Sequence, residues 1–120
     1  MKYILERRDN LIIFQIKNQK IEGEISSHFK AEFLIFCQPG LEAFIIDISD
    51  VDSIDSAGFG ALLLAYRQLK EFDIPVVITG TNEYIRSMMS ITQIESLFEF
   101  YETLPEALAD YDPSLAPNEE

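Results

Sequence analysis

Cysteine and histidine are almost absent from this sequence, and each scarcity removes a class of chemistry. Cys37 is the only cysteine and His28 the only histidine among 120 residues. A single cysteine excludes a disulfide framework within the chain and a thiolate metal site. His28 has no second imidazole and no nucleophile beside it, so we expect it on the surface of a helix. We expect Cys37, which follows Phe33 and Phe36, to be a buried thiol.

Basic residues are scarce as well. The chain has 9 lysines and arginines against 21 aspartates and glutamates, which gives a formal net charge of −12. Nucleic acids and anionic membrane surfaces attract positive charge, so this balance argues against direct binding to either. The charge fits a basic protein partner better, although acidity also serves solubility.

Long apolar runs are missing too. No segment approaches the roughly 18 apolar residues of a membrane-spanning helix. The N-terminal run Met1–Arg8 lacks the apolar core of a signal peptide. We therefore expect a cytoplasmic protein without a membrane segment. A chain of 120 residues is long enough for one domain with a two-layer core.

The apolar pattern predicts two strands followed by alternating helices and strands. Strands are expected over 3–7, 11–17, 44–46, 76–79 and 97–101. Helices are expected from an N-cap at Ser26 or Ser27 to about Cys37, from Ser56 to about Phe72, after Thr81 or Asn82, and after a capping box at Thr103–Glu106.

This order of elements predicts the fold class. It indicates a single α/β domain over residues 1–110, with a mixed sheet of four to five strands packed against about four helices. Residues 111–120 are acidic and rich in proline, and we expect them to form a disordered tail.

The most informative segment is Asp47–Gly60, which joins the predicted strand at 44–46 to an apolar helix. It delivers Ser56 to the N-terminus of that helix, where backbone N–H groups and the helix dipole favour negative charge. A phosphate on this hydroxyl would change the surface strongly while the fold tolerates it. The alternative is that Ser56 or Asp55 only caps the helix, a role worth about 0.5–2 kcal/mol.

Four carboxylates, Asp47, Asp50, Asp52 and Asp55, lie in this segment. They lack the glycine and the terminal glutamate that a calcium loop requires at fixed positions. A phospho-aspartate receiver site would need a further acidic pair and a distal lysine, which the other strand ends do not supply. We therefore expect solvated turn carboxylates and helix caps, with no metal or cofactor. No catalytic motif occurs, so an enzyme is not expected.

Two glycines are unusual in the first turns of a helix, where each costs about 1 kcal/mol relative to alanine. Gly58 and Gly60, with Ala57 and Ala61, leave the backbone bare, so that another backbone can approach it closely. Further along, an apolar stripe is expected in the core: Phe59, Leu62, Leu63, Tyr66 and Leu69. The first half of the helix is nearly apolar all round, so it is either buried on both sides or partly an interface.

The run Asp55-Ser-Ala-Gly-Phe-Gly60 resembles the Asp-Ser-Ser/Thr-Gly-Leu-Gly signature of STAS domains. The similarity is to bacterial anti-sigma-factor antagonists, and it covers residues 1 to about 109 in order. It implies a mixed sheet packed against helices, with the signature serine at the N-terminus of the second helix. Three positions depart from the family: Ala57 replaces a second hydroxyl, Glu22 an aspartate, and Ile25 a commonly polar residue.

The resemblance also implies a mechanism and a site. Ser56 would be phosphorylated by an anti-sigma factor that is also a serine kinase, and a metal-dependent serine phosphatase would restore the hydroxyl. The unphosphorylated protein would bind the anti-sigma factor and release sigma, as a partner switch in transcription regulation. The implied partner-binding residues are Glu22, Asp55, Ser56, Ala57, Gly58, Phe59 and Gly60, and a homodimer is left open. The competing interpretation is a STAS scaffold subunit of a transport or sensory complex that is not phosphorylated.

Overall fold

Five apolar segments form the central sheet, and their side chains supply a core on both of its faces. The computed structural model describes residues 2–112. In spatial order the strands are β1 (Tyr3–Arg8), β2 (Leu11–Ile16), β4 (Ala43–Asp47), β6 (Val76–Thr79) and β7 (Glu99–Tyr101). β1 and β2 are antiparallel and the other neighbouring pairs are parallel, so the sheet is mixed, as predicted.

Helices cover the two faces of the sheet unequally. One face carries α1 (Glu24–Phe36), α2 (Ser56–Lys70) and α3 (Glu83–Ile91), and the other carries α4 (Leu104–Tyr111). The larger core lies under the first three helices, where four phenyl rings meet largely edge to face: Phe14, Phe29, Phe33 and Phe44. Such contacts add to the burial of apolar area. The predicted number of helices and the α/β class are confirmed.

A second, two-stranded sheet is not predicted by the sequence. β3 (Lys20–Ile21) pairs in parallel with β5 (Ser53–Ile54), and Ile21 lies opposite Ile54. Two residues per strand are too few to show an alternating pattern. The pair matters for function because it places the segment that leads into α1 beside the segment that leads into α2.

The start of α1 differs from the prediction. Its N-cap is Gly23, which offers no side chain, and the helix begins at Glu24. The expected cap at Ser26 or Ser27 is therefore wrong, because both serines lie inside the helix. Ser26 is fully buried and donates its hydroxyl hydrogen to Asp55 instead.

The other helix starts agree with the sequence. The side chain of Asn82 accepts a hydrogen bond from the N–H of Ile85 at 2.7 Å, and caps α3. Thr103 accepts one from the N–H of Glu106 at 3.3 Å, and caps α4. Both caps satisfy N–H groups that the first turn of a helix leaves without partners.

Several element ends lie near, but not at, their predicted positions. α2 ends at Lys70, two residues before the expected end. Leu97 belongs to a short 3-10 helix, Glu95–Leu97, which precedes the last strand. α4 continues to Tyr111, and residues 113–120 of the expected tail lie outside the described residues.

Candidate functional site at the start of helix α2

Asp55 is the residue around which this site is built. Its Oδ1 accepts hydrogen bonds from the N–H of Gly58 at 2.7 Å and from the hydroxyl of Ser26 at 2.6 Å. Its Oδ2 accepts one from the N–H of Gly23 at 2.9 Å. The bond from Ser26, followed by that from Gly23, lowers the pKa of Asp55 because donors favour the charged carboxylate. Asp55 is therefore ionised at neutral pH.

The same carboxylate holds the starts of two helices. Asp55 is the N-cap of α2, while Gly23, which donates to it, is the N-cap of α1. Gly23 has φ +59°, in the left-handed region that favours glycine. The backbone N–H of Asp55 also donates to the carbonyl of Ile21 at 2.9 Å. The turn before α2 is thus fastened to β3 and to α1.

Ser56 is the first residue of α2, and it is exposed. Because Asp55 supplies the cap, the Ser56 hydroxyl is not used for that purpose. Within residues 2–112 no hydrogen bond involves this hydroxyl. The neighbouring Ala57 is also exposed and offers no second hydroxyl. Of the two caps that the sequence leaves open, the structure selects Asp55.

The two glycines of α2 differ in their surroundings. Gly58 is buried, and a Cβ built on it would lie 2.5 Å from Ile54 Cγ2 and 3.0 Å from Ile21 Cγ2. Gly58 is therefore needed for packing against β3 and β5. A Cβ built on Gly60 would meet no described atom within 4 Å. The close approach of another backbone, which the sequence suggests for both glycines, is open only at Gly60.

Glu22 lies at the same edge of the site. It follows β3 as Asp55 follows β5, and the parallel pairing of Ile21 with Ile54 brings the two strand ends together. Glu22 is exposed. Of the seven predicted partner-binding residues, three are exposed (Glu22, Ser56 and Ala57), three are half-buried (Asp55, Phe59 and Gly60), and Gly58 is buried.

An apolar groove of about 400 Å³ lies between α2 and α3 and reaches Ser56. Its lining residues are Ile54, Ser56, Phe59, Gly60, Leu63, Met88, Thr92 and Ile94. Leu62 and Leu69 are buried as predicted, but three residues expected in the core are only partly buried: Phe59, Leu63 and Tyr66. The first half of α2 is apolar on nearly all sides, and this sequence feature indicates such a surface. No sequence feature indicates that α3 contributes to it.

The other carboxylates of the acidic turn have separate roles. Asp47 is buried and accepts a hydrogen bond from the hydroxyl of Thr79 at 2.6 Å, so the expectation of a solvated carboxylate is wrong there. Asp50 forms an exposed ion pair with Lys17 at 3.4 Å, and Asp52 is exposed. Within the described part of the chain, no cluster of three or more acidic, histidine or cysteine side chains is arranged for a metal ion.

The remaining candidates lie away from this site. Cys37 is buried, as expected, and burial raises the pKa of its thiol to about 12. His28 is exposed on α1, also as expected. Among the described helices, none combines the length and the apolar character needed to cross a membrane.

Comparison with known proteins gives one family. A family model for the STAS domain matches residues 2–107. A proposed anti-sigma factor antagonist of Thermotoga neapolitana, described as a homolog of TM1081, is 25% identical over 100 residues. The match covers 82% of this chain and 88% of that protein.

Solved structures have the same fold. An anti-sigma-factor antagonist (STAS) domain protein from Planctomyces limnophilus superposes with a TM-score of 0.82 at 17% identity, covering 91% of this chain and 96% of that one. The phosphorylated form of the Bacillus cell fate determinant SpoIIAA gives a TM-score of 0.73 at 14% identity, covering 91% and 98% of the two chains.

Proposed function

Since the chain belongs to the STAS domain family, as its signature predicts, we propose that it is an anti-sigma-factor antagonist controlled by phosphorylation. In this proposal the unphosphorylated Ser56 surface docks an anti-sigma factor that is also a serine kinase. Phosphorylation of Ser56 by that kinase breaks the complex, and a metal-dependent serine phosphatase restores it. The protein acts in the cytoplasm as a binding switch, and it performs no catalysis itself.

The state of the Ser56 hydroxyl carries this proposal. It is exposed at the first position of α2, and Asp55 has already satisfied the helix cap. A kinase therefore meets a hydroxyl whose modification removes no described hydrogen bond. The phosphate would lie at a helix N-terminus, which stabilises negative charge by about 0.3–1 kcal/mol. The fold is expected to tolerate the modification.

The charge of the phosphate accounts for the loss of binding. It adds about −1.5 to −2 charges at neutral pH to a surface that already carries Asp55 and Glu22. A partner that fits the uncharged hydroxyl must remove water from the phosphate when it docks, and desolvating such a charge costs several kcal/mol unless the partner supplies an opposite charge. We expect about a hundredfold loss of affinity, which corresponds to ~3 kcal/mol.

The first test compares three serine variants. We expect Ser56→Asp to bind the anti-sigma factor about a hundredfold more weakly than the wild type, with a nearly unchanged melting temperature. Ser56→Ala is expected to bind the partner but to accept no phosphate from ATP. Ser87→Asp is the matched control, because Ser87 is an exposed serine of α3 outside the groove. The measurements are calorimetric titration with the partner purified from native cells, thermal unfolding, and mass spectrometry of the phosphosite.

Two results would count against the switch. Equal affinity of the wild type and Ser56→Asp would overturn it. A partner that co-purifies equally before and after phosphatase or kinase treatment would instead favour the competing interpretation, a constitutive scaffold.

A further inference from the structure

Ser26 is a buried polar residue that the phosphorylation mechanism does not use. It is fully buried in the first turn of α1, 30 positions before Ser56. A buried hydroxyl requires a hydrogen-bond partner, and a helical serine usually finds one on the carbonyl one turn back. Ser26 instead donates to Asp55 Oδ1 at 2.6 Å.

This bond belongs to a set that joins two segments distant in sequence. Asp55 Oδ1 is shared by the hydroxyl of Ser26 and the N–H of Gly58, and Oδ2 receives the N–H of Gly23. We call these three hydrogen bonds the Asp55 clasp. Two of its donors come from the start of α1 and one from α2. The clasp therefore sets the position of the Glu22–Gly23 segment relative to the turn that presents Ser56.

We propose that Ser26 is a positioning residue that makes Ser56 and Glu22 parts of one docking surface. The inference rests on the proposed function, because it concerns the partner of that same site. Without the Ser26 hydroxyl, the side chain of Asp55 would hold the start of α1 through Gly23 alone. The Glu22–Gly23 segment would then be more mobile in the free protein. Its conformational freedom would be lost on docking, and this loss reduces the affinity. Since Ser26 is fully buried, its effect on a partner must pass through the clasp.

The chain provides a matched control for this residue. Thr79 is also fully buried, and it also donates to a carboxylate at 2.6 Å, that of Asp47. Thr79 does not line the groove. Ser26→Ala and Thr79→Val thus each remove a buried hydroxyl bound to an aspartate, one inside the clasp and one outside it. A loss of stability is common to both, whereas a loss of docking is expected only for Ser26→Ala.

The test measures docking and phosphorylation with the anti-sigma factor purified as above. We expect Ser26→Ala to bind it about tenfold more weakly, equivalent to ~1.4 kcal/mol. The KM for Ser56 phosphorylation should rise by a similar factor with kcat within about twofold, because the hydroxyl itself is unchanged. Thr79→Val should leave affinity and KM within about twofold of the wild type. Should Ser26→Ala fail to fold, Ser26→Cys keeps the volume with a weak donor and replaces it.

A second readout needs no partner. By NMR, loss of the Ser26 donor should raise the pKa of the Asp55 carboxyl toward its ordinary value in Ser26→Ala, and the amide of Gly23 should exchange faster. Thr79→Val should change neither quantity.

The outcomes separate the two proposals. If Ser26→Ala binds the partner as tightly as Thr79→Val does, the inference is overturned, while Ser56→Asp still reports the switch. If Ser56→Asp binds like the wild type, the proposed function fails, and the positioning role fails with it.

Discussion

Gly58 and Gly60 lie two residues apart in one helix, yet the structure uses them in opposite ways. Gly58 is closed in by Ile21 and Ile54 of the small second sheet, whereas the space beyond Gly60 is open. A glycine in a helix costs about the same at either position. At Gly58 the cost is offset by packing within the chain. At Gly60 no described contact offsets it, and a surface for another molecule is left open.

The difference extends to the residues around each glycine. The inner side, with Asp55 and Gly58, fastens α2 to α1 and to β3. The outer side, with Ser56 and Gly60, opens onto the apolar groove. The residues that fasten the helix and those that face the groove therefore lie on two different sides of the start of α2. Substitutions on the outer side should therefore be able to weaken partner binding without a loss of stability.

The largest expected effect on stability is on the inner side. Gly58→Ala places a methyl group 2.5 Å from Ile54 Cγ2, so the short β3–β5 sheet must shift. Overpacking of this kind costs about 1–3 kcal/mol, and the better helix propensity of alanine returns up to about 1 kcal/mol. We expect a net loss of about 1–2 kcal/mol in the free energy of unfolding, measured by urea denaturation. An unchanged midpoint would show that Gly58 is not required for packing.

A smaller effect of opposite sign is expected on the outer side. In Gly60→Ala the new methyl group meets nothing within 4 Å, so the helix should gain up to about 1 kcal/mol of stability. The same methyl group would stand in the groove, and we expect severalfold weaker binding of the partner by calorimetry. A variant that is more stable and binds as tightly as the wild type would show that no partner approaches Gly60.

The smallest effect is the contribution of the clasp to the pH dependence of stability. The pKa of Asp55 is lower in the folded chain than in the unfolded one. The ionised carboxylate therefore stabilises the fold at pH values above the pKa of the unfolded chain, about 3.9. This stabilisation is lost as the pH falls through the lowered folded pKa. Asp55 is partly exposed, and solvent screening limits the effect. Urea unfolding between about pH 6 and pH 2 should show a shallower acid loss for Asp55→Asn than for the wild type. Parallel curves would contradict this.

How far the sequence predicts the structure depends on the range of the interactions. The main strands and the caps Asn82 and Thr103 follow from local patterns, and the structure confirms them. The start of α1 does not follow from a local pattern, because Gly23 has no side chain for capping and its partner Asp55 lies 32 residues away. Serine is a residue type that often caps helices, and only the fold shows that Ser26 donates its hydrogen bond to another segment.

The candidate site shows the same limit. The motif locates Ser56 at the helix start, and Asp55 as a cap, from neighbouring residues alone. The groove also needs Met88 and Ile94, which lie more than 25 residues after Gly60 in the sequence. No local sequence pattern can therefore predict the groove. The different surroundings of Gly58 and Gly60 likewise depend on Ile21, which the two-residue β3 brings into contact.

The burial of Cys37 has a practical consequence for labelling. The thiolate is the form that attacks thiol reagents, and with a pKa of about 12 the Cys37 thiol stays protonated near neutral pH, inside the core. A cysteine placed at the exposed Ala57 would therefore react selectively. A fluorophore attached there would lie beside Ser56 while leaving that hydroxyl intact. Its fluorescence would report the binding of a partner to the Ser56 surface in real time.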